Sequence, residues 1–351
     1  MGAICSYAPR PARRRFAMKK TILVTGAAGF IGSHLAEVFL RRGDRVVGLD
    51  NLNTAYDVTR KWANLAEVEN TAKESGQWEF VKGDIRDVEL ADRLFGENAF
   101  DAVVHLAAMT GVGISIEDPP LYYDVNLLGT LNLLNAAKQH LVGNFVFASP
   151  SSVYGNSPAI PFLETDACDR PLAPYPASKR AAEMLGFTFH HLYSLNFTAV
   201  RLFSVYGPRN RPDSLAFQVA EGICHQKKVR LYRKGQMYRD WIYVGDLVNG
   251  LVAATDRPLG YEIVNLGRGE PVLVADFVNL IEEHSGCKAN LIPALLPDMD
   301  IPCAYASIEK ARRLLDFRPT VSVKDGVEQF WHWYSNEVLE TTLGSELIAV
   351  K

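Results

Sequence analysis

The sequence predicts a doubly wound α/β fold, a parallel sheet with helices on both faces, followed by a smaller C-terminal α/β lobe. Three observations predict it. From Thr21 onward, short apolar runs alternate with helical patterns. The apolar runs are continuous rather than alternating, as in strands covered on both faces. A glycine-rich turn stands directly between the first strand and the first helix.

The elements follow in order. The run Thr21-Ile22-Leu23-Val24-Thr25 is rich in β-branched residues and reads as a buried strand. Ile31, Leu35, Val38 and Phe39 then form a helical stripe, closed by Gly43. Further strands are expected at 45–49, 78–81, 101–105, 144–148 and 198–202, with helices at 126–140 and 178–193. After Ser204 the texture changes, and proline, glycine and arginine punctuate shorter elements, as in 206–212. The expected organisation is a disordered tail over 1–18 and a dinucleotide-binding domain over 19–203. A substrate lobe follows over 204–337, part of which (about 240–275) returns to the first domain, and then a C-terminal tail over 338–351.

Composition narrows the function. The chain has 351 residues, 48% of them hydrophobic and 22% charged, with a net charge of −3. That balance gives no electrostatic reason to expect nucleic acid or an anionic membrane surface as a partner. No apolar run approaches the roughly 18 residues that span a bilayer. Cysteines stand at 5, 168, 224, 287 and 303, an odd count with no CxxC pair, which suits free thiols in a reducing, cytoplasmic compartment. Arg10, Arg13, Arg14 and Arg15 lie among Pro and Ala, and no acidic residue precedes Glu37. The stretch reads as a targeting segment, as a disordered tail, or as an upstream start with Met18 as the natural initiator, and one of the latter two is the reading taken.

Gly26, Gly29 and Gly32 carry the firmest signal. The first permits a tight turn, the second lets backbone approach a pyrophosphate, and the third lets helix pack on strand. The helix N-terminus at Phe30 and Ile31 offers N–H groups to phosphate. The spacing is GxxGxxG, one residue longer than the commonest dehydrogenase fingerprint. Asp50 ends the second strand, where a carboxylate accepts hydrogen bonds from ribose hydroxyls and repels a 2′-phosphate, so NAD is favoured over NADP. The alternative is an Asp that caps a turn. Asn51 adjoins it. Asp84, followed by Ile85, is placed to face an adenine, and Leu106, Ala107 and Ala108 leave room for a cofactor at the end of the fourth strand. His105 reads as a packed strand residue. No cluster has metal-ligand spacing, so no metal is expected.

Tyr175 and Lys179 open a helix and share one face at i, i+4. A tyrosine is a poor base near neutral pH, and a nearby ammonium together with an oxidised nicotinamide favours its phenolate.

Gly26 to Gly32, Asp50, His105 to Ala108, Tyr175 and Lys179 together resemble the extended short-chain dehydrogenase/reductase family. Within it the chain is most similar to the nucleotide-sugar epimerases and dehydratases, and there to the UDP-glucuronate 4-epimerase group. The likeness runs from about Lys20 to Trp333, through Ser151 to Gly155, Arg201 to Pro208, Arg211 to Asp213 and Gly235 to Asp240. It implies a Rossmann-type fold, bound NAD, a UDP-linked sugar as substrate and a homodimer, with helices near Pro120 and Tyr175 meeting their mates. Leu127, Leu131 and Leu134 could equally be internal core. It also implies a mechanism, in which Tyr175 takes the proton of the sugar 4-hydroxyl while C4 gives hydride to NAD. The keto sugar then turns over and takes the hydride back on its other face. Lys179 holds the nicotinamide ribose as well, and Ser149 adjoins the cofactor. The resemblance places Arg239 on the diphosphate, Arg211 where a sugar carboxylate binds, and Ser151, Ser152 and Ser204 along the substrate.

Two positions depart from the family. Pro150 stands where a Ser or Thr normally bonds the 4-hydroxyl, so Ser151 or Ser149 is expected to take that role, unless the relay is impaired or the chemistry differs. Gly113 stands where glucuronate epimerases usually carry Arg, which weakens the case for an acidic sugar. Ser151 and Ser152 occupy the positions of the dehydratases' Asp-Glu pair, which argues against 4,6-dehydration. The competing readings are another NAD-dependent oxidation or elimination on a nucleotide sugar, and a catalytically weak NAD-binding sensor.

Overall fold

In the computed structural model, which describes residues 19–339, seven strands form one parallel sheet. They are β1 (Thr21–Thr25), β2 (Arg45–Asp50), β3 (Gln77–Lys82), β4 (Ala102–His105), β5 (Asn144–Pro150), β6 (Phe197–Leu202) and β10 (Tyr261–Leu266). Their spatial order is β10-β6-β5-β4-β1-β2-β3. The order reverses at β1 and β4, and the crevice at such a switch point is where open α/β sheets bind ligands.

Both faces are covered, as continuous apolar strands require. Helices α1 (Phe30–Arg42) and α8 (Val244–Asp256) bury Leu35, Phe39, Leu247 and Leu251 against one face. Helices α3 (Val88–Glu97), α5 (Thr130–Gln139) and α6 (Pro174–Tyr193) bury Leu94, Leu133 and Ala182 against the other. Helix α2 (Val58–Ser75), capped by Asp57, packs on α1.

Directly after β6 the chain leaves this sheet. β7 (Ser204–Tyr206) pairs with β9 (Tyr238–Tyr243), which also pairs with β11 (Pro271–Leu273) and β13 (Cys303–Ala304). β8 (Lys228–Tyr232) pairs with β12 (Asn290–Ala294). A separate core gathers α7 (Leu215–Cys224), α9 (Val274–Ser285) and α11 (Val323–Trp333), with Trp241 stacked on Phe277 at 3.8 Å. Asp240 pins this region. Its buried carboxylate accepts the backbone N–H groups of Arg268, Gly269 and Ala306. The short helix α10 (Glu309–Leu315) packs back on the large sheet's core.

Some expectations are corrected. The helix expected over 126–140 is the later part of a longer run, α4 (Pro119–Tyr123), a π-turn (Asp124–Gly129) and α5 (Thr130–Gln139). Asp118 caps the Leu121 N–H and Pro119 and Pro120 fill the first turn, so the helix starts early. Val338 and Leu339, expected to open the C-terminal tail, belong instead to a π-turn (Tyr334–Leu339), and Val338 is buried in the second core. The expectations for residues 1–18 and 340–351 lie outside the described residues. Among the described residues, no helix is long and apolar enough to cross a membrane.

Candidate active site

The glycine turn has the geometry its spacing requires. Gly26 adopts φ +72°, and a Cβ there would stand 2.8 Å from the Ala107 nitrogen. A Cβ on Gly32 would stand 2.1 Å from the Gly26 carbonyl oxygen, so helix and strand cannot approach this closely with any larger residue. Gly29 is the N-cap of α1, with no side-chain cap and no acidic residue in the first turn. The positive end of the helix is therefore left to a ligand, and the turn fits a dinucleotide pyrophosphate. Phe30 is buried in the core and Ile31 packs partly buried against it, so Phe30 can offer such a ligand its backbone.

Asp50 lies at the carboxyl end of β2, buried. Its carboxylate accepts from the Ala28 N–H at 3.2 Å and the Leu52 N–H at 2.8 Å, so it does cap the turn. Lys61 was not anticipated. It stands on the first turn of α2, buried, with its ammonium 3.8 Å from Asp50 and bonded to Asn53 at 3.0 Å. Burial lowers its pKa, and Asp50 opposes that shift. Asn51 donates to Asp84 at 2.9 Å, and the Arg86 guanidinium holds the Asp84 carboxyl down at about 2. Ile85 is buried against Gly129, so its side chain is core rather than lining. Leu106, Ala107 and Ala108 follow β4 beside Gly26, where Ala107 donates to the Thr25 hydroxyl at 3.1 Å. His105 bonds the Thr25 and Thr130 hydroxyls at 2.7 and 2.9 Å and is fully buried, the packed role expected of it.

Helix α6 starts at Pro174, with Pro176 tolerated in the first turn. Ser178 fixes that turn by donating to the Tyr175 carbonyl at 2.8 Å. Asn126 ties it to the loop after β4: it donates to Ser178 and to the Met109 carbonyl and accepts the Met109 N–H. Tyr122 packs edge-on to Tyr175, centroids 6.1 Å apart, and donates to the Thr110 carbonyl at 2.7 Å. Burial pushes the Tyr175 phenol up to about 12, opposed by the charge of Arg211. Lys179 is buried with its ammonium 3.9 Å above the Phe147 ring, and burial lowers its pKa to about 7, opposed by Glu183. Burial thus favours the protonated phenol, and a further cation beside it would favour the phenolate.

Beside this helix lies a cavity of about 340 Å³, lined by Ser151, Ser152, Pro176, Ser204, Arg239 and Asp300 among others. Ser151 and Ser152 enter it from the 3₁₀ turn that follows Pro150. Ser149 is buried at the end of β5. Arg239 bonds Asp300 at 2.7 Å, a partner that no local pattern reveals. Arg211 does not line the cavity: it binds Asp213 through Nε and Nη2 and the Thr110 hydroxyl through Nη1. Among the described residues, no group of three or more His, Cys, Asp or Glu could hold a metal ion.

Residues 22–267 match the model of the NAD dependent epimerase/dehydratase family. The chain is 40% identical over 318 residues to a UDP-glucuronate 4-epimerase of Thermodesulfobacterium geofontis, covering 90% of this chain and 96% of that protein. The solved structure of UDP-glucuronic acid 4-epimerase from Bacillus cereus with UDP-glucuronic acid and NAD superposes with TM-score 0.83 at 32% identity, covering 90% and 99% of the two chains. UDP-glucose 4-epimerase from Thermotoga maritima with UDP-glucose does so with TM-score 0.81 at 28% identity, covering 92% and 99%. With the glycine turn, Tyr175 and Lys179 in place, the chain belongs to the NAD dependent epimerase/dehydratase family.

Proposed function

We propose that the protein is a nucleotide-sugar 4-epimerase acting on UDP-linked sugars. The observation that carries this is the position of α6, whose Pro176, next to Tyr175 in sequence, lines the cavity and whose Lys179 lies over Phe147 of β5. NAD, seated at the Gly26–Gly32 turn, supplies a reversible hydride acceptor for sugar C4. Tyr175 takes and returns the proton of the 4-hydroxyl, and Lys179 supplies positive charge that favours the phenolate. Ser151 bonds the reacting hydroxyl in place of the residue that Pro150 displaces. Arg239 exchanges Asp300 for the diphosphate, a task suited to a planar, permanently charged group. In this reading Asp50 and Lys61 hold the adenosine ribose, with residues 19–203 and 244–266 forming the NAD-binding part and most of the remainder the substrate lobe. The relatives that hold UDP-glucuronic acid and UDP-glucose share this fold, so the fold leaves the sugar open.

We also infer a homodimer in a reducing, cytoplasmic compartment. Leu127, Leu131 and Leu134 pack inward, while Leu128, Met184 and Phe187 are each about half exposed on neighbouring elements and suit a second copy. The four cysteines among the described residues are free. Sedimentation at the mass of a monomer would refute the dimer.

The test of activity is incubation of the purified protein with NAD and a panel of UDP-sugars, with products resolved by chromatography. C4 epimers support the proposal. A product of lower mass indicates elimination, and tight NAD binding without turnover indicates a sensor, the reading that Pro150 favours.

A further inference from the structure

Beyond Tyr175 and Lys179, α6 carries a third ionisable residue at the next i+4 step. This is Glu183, buried like Lys179. A bidentate fork from β6 grips its carboxylate: Arg201 donates from Nε at 3.1 Å and from Nη2 at 2.8 Å. Arg180 adds a third bond at 2.9 Å. Arg201 is itself fully buried. A buried ion pair is a poor device for stability, because desolvating both charges offsets their attraction. Ala182 and Phe189 already pack α6 on the sheet without it.

The pair joins three walls of the cavity. In the sheet, Arg201 stands level with Ser149 of β5 and Asn265 of β10. Its guanidinium lies 4.7 Å above the Tyr154 ring, and the Tyr154 hydroxyl donates to Asn265 at 2.7 Å. Tyr154 ends the 3₁₀ turn that presents Ser151 and Ser152. Just past Arg201, the chain reaches Ser204 on the cavity wall, and α6 supplies Pro176.

The pair also carries charge toward Lys179. Burial lowers the Lys179 pKa, and Glu183 is the anion that opposes this. From β4, His105 faces the same ammonium. Burial first and the Lys179 charge second hold His105 well below the ordinary histidine range, so it is neutral. Burial alone would raise the Glu183 carboxyl, but the bonds and charge of Arg201 bring it below its ordinary value. Burial raises the Tyr154 and Tyr261 phenols and the Cys168 thiol around the pair, so they are uncharged near neutral pH.

We propose that Glu183 and Arg201 are positioning residues for the proton transfer at Tyr175: their bidentate pair sets where Lys179 stands against β5, and Arg201 holds Glu183 as an anion one helical turn from Lys179. The inference rests on the reading of Tyr175 and Lys179 as the proton-transfer pair of a 4-epimerase.

The experiment uses two variants of the NAD-loaded protein. Glu183→Leu combined with Arg201→Met removes both charges and leaves neither ion unpaired, so the fold is expected to survive. Arg201→Lys keeps the charge and loses the fork. With the panel of UDP-sugars, the double variant is expected to lose at least about tenfold in kcat with little change in KM. The alkaline limb of its kcat profile should move down by about one pH unit or more, since Lys179 holds its proton less tightly. Arg201→Lys should lower kcat and leave that limb in place. NMR titration of the lysine ε-carbons, with Lys179→Met as the assignment control, reads the same shift without turnover. An unchanged titration midpoint in the double variant overturns the inference, as does an unchanged kcat where the unmodified protein epimerises. A lowered midpoint with no turnover by the unmodified protein removes the 4-epimerase reading and leaves the Glu183–Lys179 relation standing. Should the double variant not fold, Arg201→Lys decides: a lowered kcat supports the inference and an unchanged one overturns it.

Discussion

The ammonium of Lys179 sits 3.9 Å above the ring of Phe147, one helical turn past Tyr175. Its charge faces an aromatic surface, which desolvates it while offering the modest attraction of a ring quadrupole. Burial therefore brings its pKa to about 7, far below the ordinary lysine value. Between pH 7 and about 10.5 the unfolded chain binds a proton that the folded one does not, so this site makes stability rise with pH across that window. Below pH 7 the full penalty of the buried charge is present. The Lys179→Met variant, stripped of NAD, is expected to exceed the unmodified protein in stability most at pH 7 and below. The gap should close at up to about 1.4 kcal/mol per pH unit as pH rises. Urea unfolding at pH 7, 8 and 9 measures this, and a gap independent of pH would refute the assignment.

Tyr175 is the proposed proton carrier. Tyr175→Phe keeps the edge contact with Tyr122 and removes the hydroxyl, so turnover should fall by about 10²- to 10⁴-fold while NAD remains bound. Product chromatography and the nucleotide content of the purified protein check both parts.

Ser151 and Pro150 form a second pair for substitution. Ser151→Ala should lower kcat at least about tenfold with little change in KM, the signature of an interaction made in the transition state. Pro150→Ser should raise kcat, since Pro150 has φ −87° and ψ 152°, values that serine adopts without strain. A Ser151→Ala enzyme with unchanged kcat would show that the hydroxyl comes from elsewhere.

Asp300 competes with the diphosphate for Arg239. Asp300→Asn should therefore lower KM for a UDP-sugar severalfold, because the amide oxygen still accepts the Ile301 N–H while the negative charge is gone. Arg239→Ala should raise KM by about 10- to 100-fold, the range for one charge-assisted bond. Inhibition by UDP gives the same comparison without turnover.

How far the sequence reveals this site depends on the distance over which each signal acts. The Gly26–Gly32 turn and the Tyr175/Lys179 pair are local: one needs a strand before and a helix after, the other a single helical turn. Both were legible. Lys61, Thr110, Tyr122 and Asp300 were not, because each acquires its role from a partner brought near by tertiary structure. Asp300 stands 61 residues from Arg239, and nothing periodic joins them. The π-turn at Asp124–Gly129 was hidden for a similar reason. Its Asn126 gives up a surface position to bind Met109 and Ser178, which helical periodicity cannot register. Arg211 shows the converse case, a residue legible by its motif whose guanidinium proves committed to Asp213.

Strand β10 has an evolutionary consequence. Because Tyr261–Leu266 completes the large sheet after the chain has already built β7, β8 and β9 elsewhere, the polypeptide weaves between its halves instead of passing once from one to the other. No single crossover point divides the gene into a cofactor cassette and a substrate cassette. A recombinant joined near Ser204 would bring in a foreign edge strand along with the new cavity, and that strand would have to match β6 in register. Block exchange is thus a poor route to new sugar specificity in this scaffold. Single replacements on the cavity wall, where a position such as Gly113 accepts a side chain freely, remain open.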